Sequence, residues 1–296
     1  MKNPKQNDFL IKQQNKQSFN FKSFGNDSFF NLREAAGVSE EDFTKSICES
    51  NMKVIITPGK SGALLFFTAD NRFVLKTVSI TERKFLEKIL KNYEFHVKSR
   101  PSTTIVRLLA LYKITINKAS IQLVVMENVF PTKPGIVFDL KGSSIGRSAT
   151  IEEKASGGIL KDNDLLSSDI RIRISENFKK EFIENLTEDC KFLSNNEIMD
   201  YSMLLGIEEK NEKDFEQTIK NKFTHLKSED GKEYHLGIID ILQKWNLKKK
   251  AEVRYKETLL QNDKSKLSVM PPKDYANRFL NFLNESAIEG VQSEII

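Results

Sequence analysis

A chain of 296 residues with 39% hydrophobic side chains, among them 21 Phe, carries enough apolar surface for a sizeable core and is not a wholly disordered polymer. Its net charge of +5, from 46 basic against 41 acidic groups, is too small to mark a binding class, so where the charge lies matters more than its sum. The two cysteines, Cys48 and Cys190, lie too far apart for a zinc spacing and suit free thiols in a reducing compartment, and no apolar run reaches the ~18 residues of a membrane-spanning helix.

The N-terminus is rich in Lys, Asn and Gln without the apolar segment of a secretory signal, and residues 1–22 read as a disordered tail. From Ser28 the pattern changes: Phe29 to Ala36 reads as a short helix stopped by Gly37. Ser39 with Glu40, Glu41 and Asp42 looks like the N-cap and acidic first turn of a second helix carrying Phe43 and Ile47. Val54–Ile56, Thr57–Gly62 and Ala63–Thr68 then read as strand, glycine-bearing turn and strand. Glycine lets backbone amides approach a polyphosphate, which makes Gly59, Lys60, Ser61 and Gly62 a candidate nucleotide cover, although an ordinary hairpin turn accounts for the same residues. A Walker A loop is excluded, because Val54 stands where its first glycine belongs and a strand follows.

A third strand, Phe73–Val78, carries Lys76. Thr81 to Lys98 shows a helix-period stripe of Phe85, Leu86, Ile89, Leu90, Tyr93 and Val97, with Thr81 as the expected N-cap and Glu82 within reach of Lys76 or serving only the helix dipole. Val106–Ile116 and Ile121–Val129 are strand-like, and Pro131 and Pro134 mark a hinge. This organisation predicts an N-lobe over 23–130 with its N-terminal helices and a C-lobe over 131–296.

Beyond the hinge, Phe138 to Arg147 alternates charge with small residues, unlike a core strand or an amphipathic helix, and offers Lys141 and Arg147 as a cationic pocket for phosphate. Ile151 to Ser168 reads as a Gly-, Ser- and acid-rich loop. Ser175 opens the strongest helix, with Phe178, Phe182, Ile183, Leu186, Cys190 and Leu193 on one face, and this helix delivers the chain to Asp200 before the apolar run Tyr201–Leu205. Glu208 to Glu233 is a polar excursion, Gly237-Ile238-Ile239-Asp240 a buried strand ending in a carboxylate, and Lys248–Lys250 with Arg254 and Lys256 a basic run. Pro271-Pro272 precede a closing helix with Tyr275, Phe279, Phe282 and Leu283. Two aspartates at strand ends and a lysine on an earlier strand are the minimal set for phosphoryl transfer. One carboxylate orients a hydroxyl, the other holds magnesium, and the lysine neutralises phosphate oxygens.

These motifs resemble the phosphatidylinositol phosphate kinases over roughly Phe21 to Leu283. The matching stretches are Asn31-Leu32-Arg33 to Gly37, Lys60-Ser61-Gly62, Val74-Leu75-Lys76-Thr77, Phe138-Asp139-Leu140-Lys141-Gly142-Ser143, Ile198-Met199-Asp200-Tyr201-Ser202, Gly237-Ile238-Ile239-Asp240 and Tyr275-Ala276-Asn277-Arg278-Phe279. The resemblance implies an α+β, protein-kinase-like two-lobed fold, with an antiparallel sheet and helix in the N-lobe and a mixed C-lobe bearing a flat membrane-facing surface. It implies transfer of the ATP γ-phosphate to an inositol hydroxyl, with Lys76 on the ATP phosphates, Asp200 aligning the acceptor and Asp240 binding Mg2+. Lys141 and Arg147 would sit near phosphates of nucleotide or lipid, and residues 242–271 would form the activation, or specificity, loop whose Lys249 and Lys250 press on an anionic bilayer. It further implies a peripheral enzyme on the cytoplasmic face of the plasma membrane, and a homodimer through the Phe29–Ile47 region.

Glu252 resembles the glutamate of enzymes that act on phosphatidylinositol 4-phosphate, where 4-kinases of the 5-phosphate isomer carry alanine. Lys248–Lys250 followed by Ala251, and Lys161-Asp162-Asn163-Asp164, look more like the 4-kinase branch. The chain departs from the family at Ala63 for serine and at Val137 for a basic residue. It departs from protein kinases at Leu205, where they place a second metal-binding asparagine. Alternatives are a weakly active phosphoinositide-binding scaffold and a protein-hydroxyl kinase, the latter opposed by the missing His-Arg-Asp loop. Nucleic-acid binding has little support, since the basic run lacks stacking aromatics beyond Trp245 and Tyr255.

Overall fold

In a computed structural model, residues 8–12, 18–48, 51–56, 62–209, 221–228, 231–245 and 270–292 are described. Gly59, Lys60, Ser61, Lys249, Lys250 and Glu252 lie outside these residues. Two compact units divide the chain: residues up to Pro101 with Val106–Pro131, and Ser102–Ile105 with Thr132 onward.

The first unit is a seven-stranded antiparallel sheet in the order β1-β2-β6-β7-β5-β4-β3. Its strands are β1 (Asp8–Lys12), β2 (Ser18–Ser23), β3 (Lys53–Ile56), β4 (Leu64–Phe67), β5 (Phe73–Val78), β6 (Leu108–Ile116) and β7 (Ala119–Glu127). Helices α1 (Asn26–Ala35), α2 (Glu40–Cys48) and α3 (Ile80–Ser99) accompany it. Phe43 of α2 and the turn residues Ala36 and Val38 pack with Phe73, Leu75, Leu109 and Val125 of the sheet in one buried cluster. Fully burying each side chain of this size is worth roughly 1.5–3 kcal/mol.

Two expectations change here. Residues 18–22, assigned to a tail on composition, belong to β2, which pairs with β6 so that Phe21 opposes Ile114. The alternation Phe19-Asn20-Phe21-Lys22 is a strand pattern, and the Phe21 ring lies 4.9 Å from that of Tyr112. The N-cap of α3 is Ser79 instead of Thr81: its hydroxyl accepts from Glu82 N at 3.1 Å, and the Glu82 carboxylate accepts from Ser79 N at 2.7 Å, a capping box.

The second unit is built on a five-stranded sheet in the order β12-β13-β11-β8-β9. These strands are β8 (Ile136–Leu140), β9 (Leu160–Lys161), β11 (Ser202–Glu209), β12 (His225–Lys227) and β13 (Lys232–Ile239). A two-stranded parallel pair, β10 (Ile172–Ser175) with β14 (Ile288–Val291), accompanies it. Helix α6 (Glu176–Asn195), capped by the Ser175 hydroxyl, packs against the C-terminal helix Pro272–Phe282. Phe182, Leu186, Cys190 and Leu193 are buried as the periodicity predicts, and burial pushes the Cys190 thiol up to about 12.

Phe138 to Leu140, expected to avoid strand structure, lies in β8. Phe138 and Leu140 enter the core, and Asp139 on the other face meets Arg147. The stretch expected to be a loop, Ile151 to Ser168, contains α4 (Ile151–Ala155), β9 and α5 (Asp162–Leu166). The buried Asp189 of α6 accepts from Thr103 Oγ1 at 2.6 Å and from Thr104 N and Oγ1 at 2.7 Å each. This draws Ser102–Ile105 beside β13, where Ile238 N donates to Thr104 O at 2.8 Å. The α+β class expected from the sequence is the class found, with a helix-flanked antiparallel sheet in one unit and antiparallel and parallel pairings in the other.

Candidate functional site

Strand register brings three of the expected site residues to one end of the five-stranded sheet. Ser202 at the start of β11 opposes Ile239 at the end of β13, and Met203 opposes Leu140 at the end of β8. Asp200 therefore precedes one strand, and Asp240 and Lys141 follow its two neighbours. Beyond the acids the same segments close again: Met199 N donates to Gln243 O at 3.1 Å and Trp245 N to Glu197 O at 2.8 Å. Asp200 and Asp240 thus sit on two chain segments fastened together on both sides.

Both acids have left-handed backbones, with φ of 64° at Asp200 and 65° at Asp240. The left-handed region costs a residue with a Cβ about 1–2 kcal/mol, and aspartate enters it more readily than most. Asp240 is exposed. The Lys141 ammonium donates to Asp200 Oδ1 at 2.7 Å and to the Asp200 carbonyl at 2.9 Å, holding the turn and neutralising the carboxylate. The Asp200 side chain remains 24% exposed.

Lys141 is itself positioned from behind. Asp162, fully buried, accepts at Oδ1 from the backbone amides of Lys141 at 2.8 Å, Gly142 at 2.6 Å and Ser143 at 3.3 Å. Its Oδ2 accepts from Arg147 Nε at 2.6 Å, and Arg147 Nη2 donates to Asp139 Oδ1 at 3.0 Å and to the Asp139 carbonyl. Burial alone would lower the Arg147 pKa, but the two carboxylates raise it above its usual value. Gly142 has φ +67°, and a Cβ there would stand 3.0 Å from Phe282 Cβ and 3.1 Å from Arg278 O. The motif Asp139-Leu140-Lys141-Gly142-Ser143 thus runs from the end of β8 into a turn that presents the lysine, with glycine required by conformation and by space.

Arg278 Nη2 donates to Lys141 O at 3.3 Å, and Tyr275 OH donates to the Tyr201 carbonyl, whose ring stacks edge-on at 4.7 Å from that of Tyr275 and 5.1 Å from that of Phe279. Burial pushes the Tyr275 and Tyr201 phenols well above their ordinary range and Arg278 below its own, so both phenols stay neutral supports.

The site reading had Arg147 as a phosphate contact, and its hydrogen bonds here go to Asp139 and Asp162. It missed Asp162, Arg278 and Tyr275 as supports. Lys76 belongs to the first unit, half-buried in β5 between Leu65 of β4 and Val124 of β7. Gly62, with φ +55°, is the one residue of the expected nucleotide cover among those described. Leu205 is wholly buried in β11, so the position of a second metal-binding asparagine is occupied by core.

A family model described as phosphatidylinositol-4-phosphate 5-kinase matches residues 46–233 and 215–286. A probable phosphatidylinositol phosphate kinase of Dictyostelium discoideum is 31% identical over 90% of this chain and 47% of its own length. A Gallus gallus phosphatidylinositol 4-phosphate 5-kinase type-1 beta is 31% identical over 93% of this chain and 59% of its length. A Gallus gallus phosphatidylinositol 5-phosphate 4-kinase type-2 alpha is 30% identical over 90% of this chain and 78% of its length. The chain spans about half the length of the first two of these relatives. With the family model covering most of its residues and relatives of both types matching 90% of this chain or more, the chain belongs to the phosphatidylinositol phosphate kinase family.

Proposed function

We propose that this chain is an active lipid kinase that transfers the γ-phosphate of ATP to the 5-hydroxyl of phosphatidylinositol 4-phosphate in an anionic membrane, giving phosphatidylinositol 4,5-bisphosphate. The observation that carries the reading is the Lys141–Asp200 pair beside Asp240 at one end of three neighbouring strands. Asp200 accepts the hydrogen bond of the inositol hydroxyl and orients its oxygen, while Lys141 keeps the carboxylate in place. Asp240 offers one exposed oxygen ligand, which fits Mg2+, an ion that takes one or two protein carboxylates and completes its shell with water and phosphate oxygens. When bound, Mg2+ neutralises charge on the transferring phosphoryl group. Lys76 is assigned to the nucleotide phosphates, and Gly59, Lys60, Ser61 and Gly62 to their cover.

Membrane contact is assigned to the basic run, with Lys249 and Lys250 at its centre and about 1 kcal/mol from each cation near an anionic surface. Among the described residues no helix is long and apolar enough to cross a membrane. The proposed place of action is the cytoplasmic face of the plasma membrane, and the α1–α2 region is the proposed homodimer contact.

Glu252 favours the 4-phosphate substrate. A 5-phosphate 4-kinase is the second reading, favoured by Lys161-Asp162-Asn163-Asp164 and by the similarity to a type-2 enzyme. The test is transfer of labelled phosphate to vesicles holding one monophosphate isomer at a time, followed by headgroup analysis. Turnover on the 4-phosphate lipid with the label at the 5-position is the expected result, and absence of turnover on every isomer would reject the kinase. Glu252→Ala is expected to shift the turnover ratio towards the 5-phosphate lipid; an unchanged ratio removes the substrate assignment.

A further inference from the structure

The opposite end of the five-stranded sheet gathers a second set of chemically active groups. On one face of β13, the strand next to the edge strand β12, stand Glu233 and His235. The register sets His225 of β12 across from His235 and Lys227 across from Glu233. On the other side, β11 sets Glu208 across from Glu233 and Gly206, which has no side chain, across from His235. Two of the three histidines of the chain therefore meet on one small patch with two carboxylates.

The distances are short. His225 Nε2 lies 3.0 Å from Glu233 Oε2, and His235 Nε2 lies 3.6 Å from Glu208 Oε1. The imidazole rings stack with centroids 4.5 Å apart. Ligand atoms of His225, Glu233 and His235 all fall within 4.8 Å of one another. With neutral imidazoles, the patch holds, among the described residues, the two negative charges of Glu208 and Glu233 beside the ammonium of Lys227, which lies 3.9 Å from Glu233 Oε1 and is 58% exposed. An exposed lysine at that distance contributes little and swings aside at small cost.

We propose that His225, His235 and Glu233 form a binding site for a divalent transition-metal ion of the Zn2+ class. Two imidazole nitrogens and one carboxylate oxygen are the donors that such ions prefer, whereas Mg2+ and Ca2+ take oxygen. Three protein ligands leave the fourth tetrahedral position to water or to Glu208. Donors on one tetrahedral Zn2+ stand roughly 3.4 Å apart, from bonds of about 2.0–2.1 Å. The nearly parallel rings reach this by turning about their Cα–Cβ and Cβ–Cγ bonds until their lone pairs converge. The ion ties the three-residue edge strand β12 to β13. The site is separate from the phosphoryl-transfer end, since five residues of extended chain, about 17 Å, part His235 from Asp240.

The full chain, stripped with a chelator and dialysed, is titrated with Zn2+ against a chromogenic chelator and with Co2+ as a spectroscopic probe. Uptake of one equivalent is expected, together with a raised thermal midpoint and a tetrahedral Co2+ spectrum without the thiolate charge-transfer band that Cys48 or Cys190 would give. Glu233→Gln and the half-buried His225→Gln each weaken uptake by more than the about 10–100-fold typical for loss of an outer-shell partner, with circular dichroism verifying the fold. Asp240→Asn leaves uptake unchanged, and millimolar Mg2+ does not displace the ion. Wild-type chain that takes up no stoichiometric Zn2+, or folded Glu233→Gln and His225→Gln variants that bind as the wild type does, overturn the site.

Discussion

Four aspartates of the second unit use the same side chain in two different ways. Asp162 and Asp189 are wholly buried and saturated by amides, hydroxyls and, for Asp162, a guanidinium. Asp200 and Asp240 sit on left-handed turns at strand ends and reach solvent. A buried carboxylate with both oxygens engaged organises chain; it has no oxygen left for a substrate. A carboxylate on a left-handed turn at a strand end that reaches solvent has room for a ligand, and that is the use proposed for Asp200 and Asp240. The buried pair makes the geometry that the exposed pair is proposed to use.

That division is broken most severely at Asp162. Asp162→Ala leaves Arg147 and three amides without their common acceptor, and loss of one partner of a buried ion pair costs about 3–5 kcal/mol. Urea unfolding of the variant is expected to show that loss, with activity falling in parallel; a loss below about 1 kcal/mol would mean that Asp162 does not organise the turn.

Asp200→Asn has the converse signature. Asparagine keeps the tolerance for a left-handed backbone and the hydrogen-bonding shape, so the unfolding midpoint is expected to stay close to wild type. Lipid phosphorylation should fall by roughly 10²–10⁴-fold, the usual range for a lost acid–base group. A variant with normal turnover would move the chemistry to another residue.

The smallest effect is expected at Asp164, which sharpens the buried class. Burial opposes its ionisation, but Lys154 at 2.6 Å and the amides of Ala149 and Lys161 outweigh it, and its pKa lies below the ordinary 3.8. A depressed carboxylate stabilises the fold above its ordinary pKa, and the contribution is lost as pH falls through the folded-state value. Asp164→Asn should therefore cost about 1 kcal/mol at neutral pH, in keeping with a partner that is half exposed. The gap from wild type should close as pH drops below the ordinary carboxylate range, and a gap independent of pH would show that charge is not its source.

Legibility in the sequence follows the range of the interactions. Helix α6 and strand β5 could be read because periodicity is local, and the strand-end positions of Asp200 and Asp240 because an apolar run begins just after the first and stops at the second. Strand β8 was hidden because Asp139 looked out of place in a strand until its partner Arg147 was known. Asp162 was hidden further, since its partners are main-chain amides some twenty residues away, which leave no trace in side-chain pattern. Composition averaged over the first twenty-two residues concealed the two-residue alternation of β2, whose partner β6 lies far along the chain.

The wall behind Gly142 comes from Arg278, Phe279 and Phe282, and the lid over Tyr201 from Tyr275. Shortening the protein ahead of Pro272 would therefore act as a lesion of the proposed site: the lysine-bearing turn would lose its backstop and the peptide beside Asp200 its clamp, although the deleted residues lie more than seventy positions from that acid.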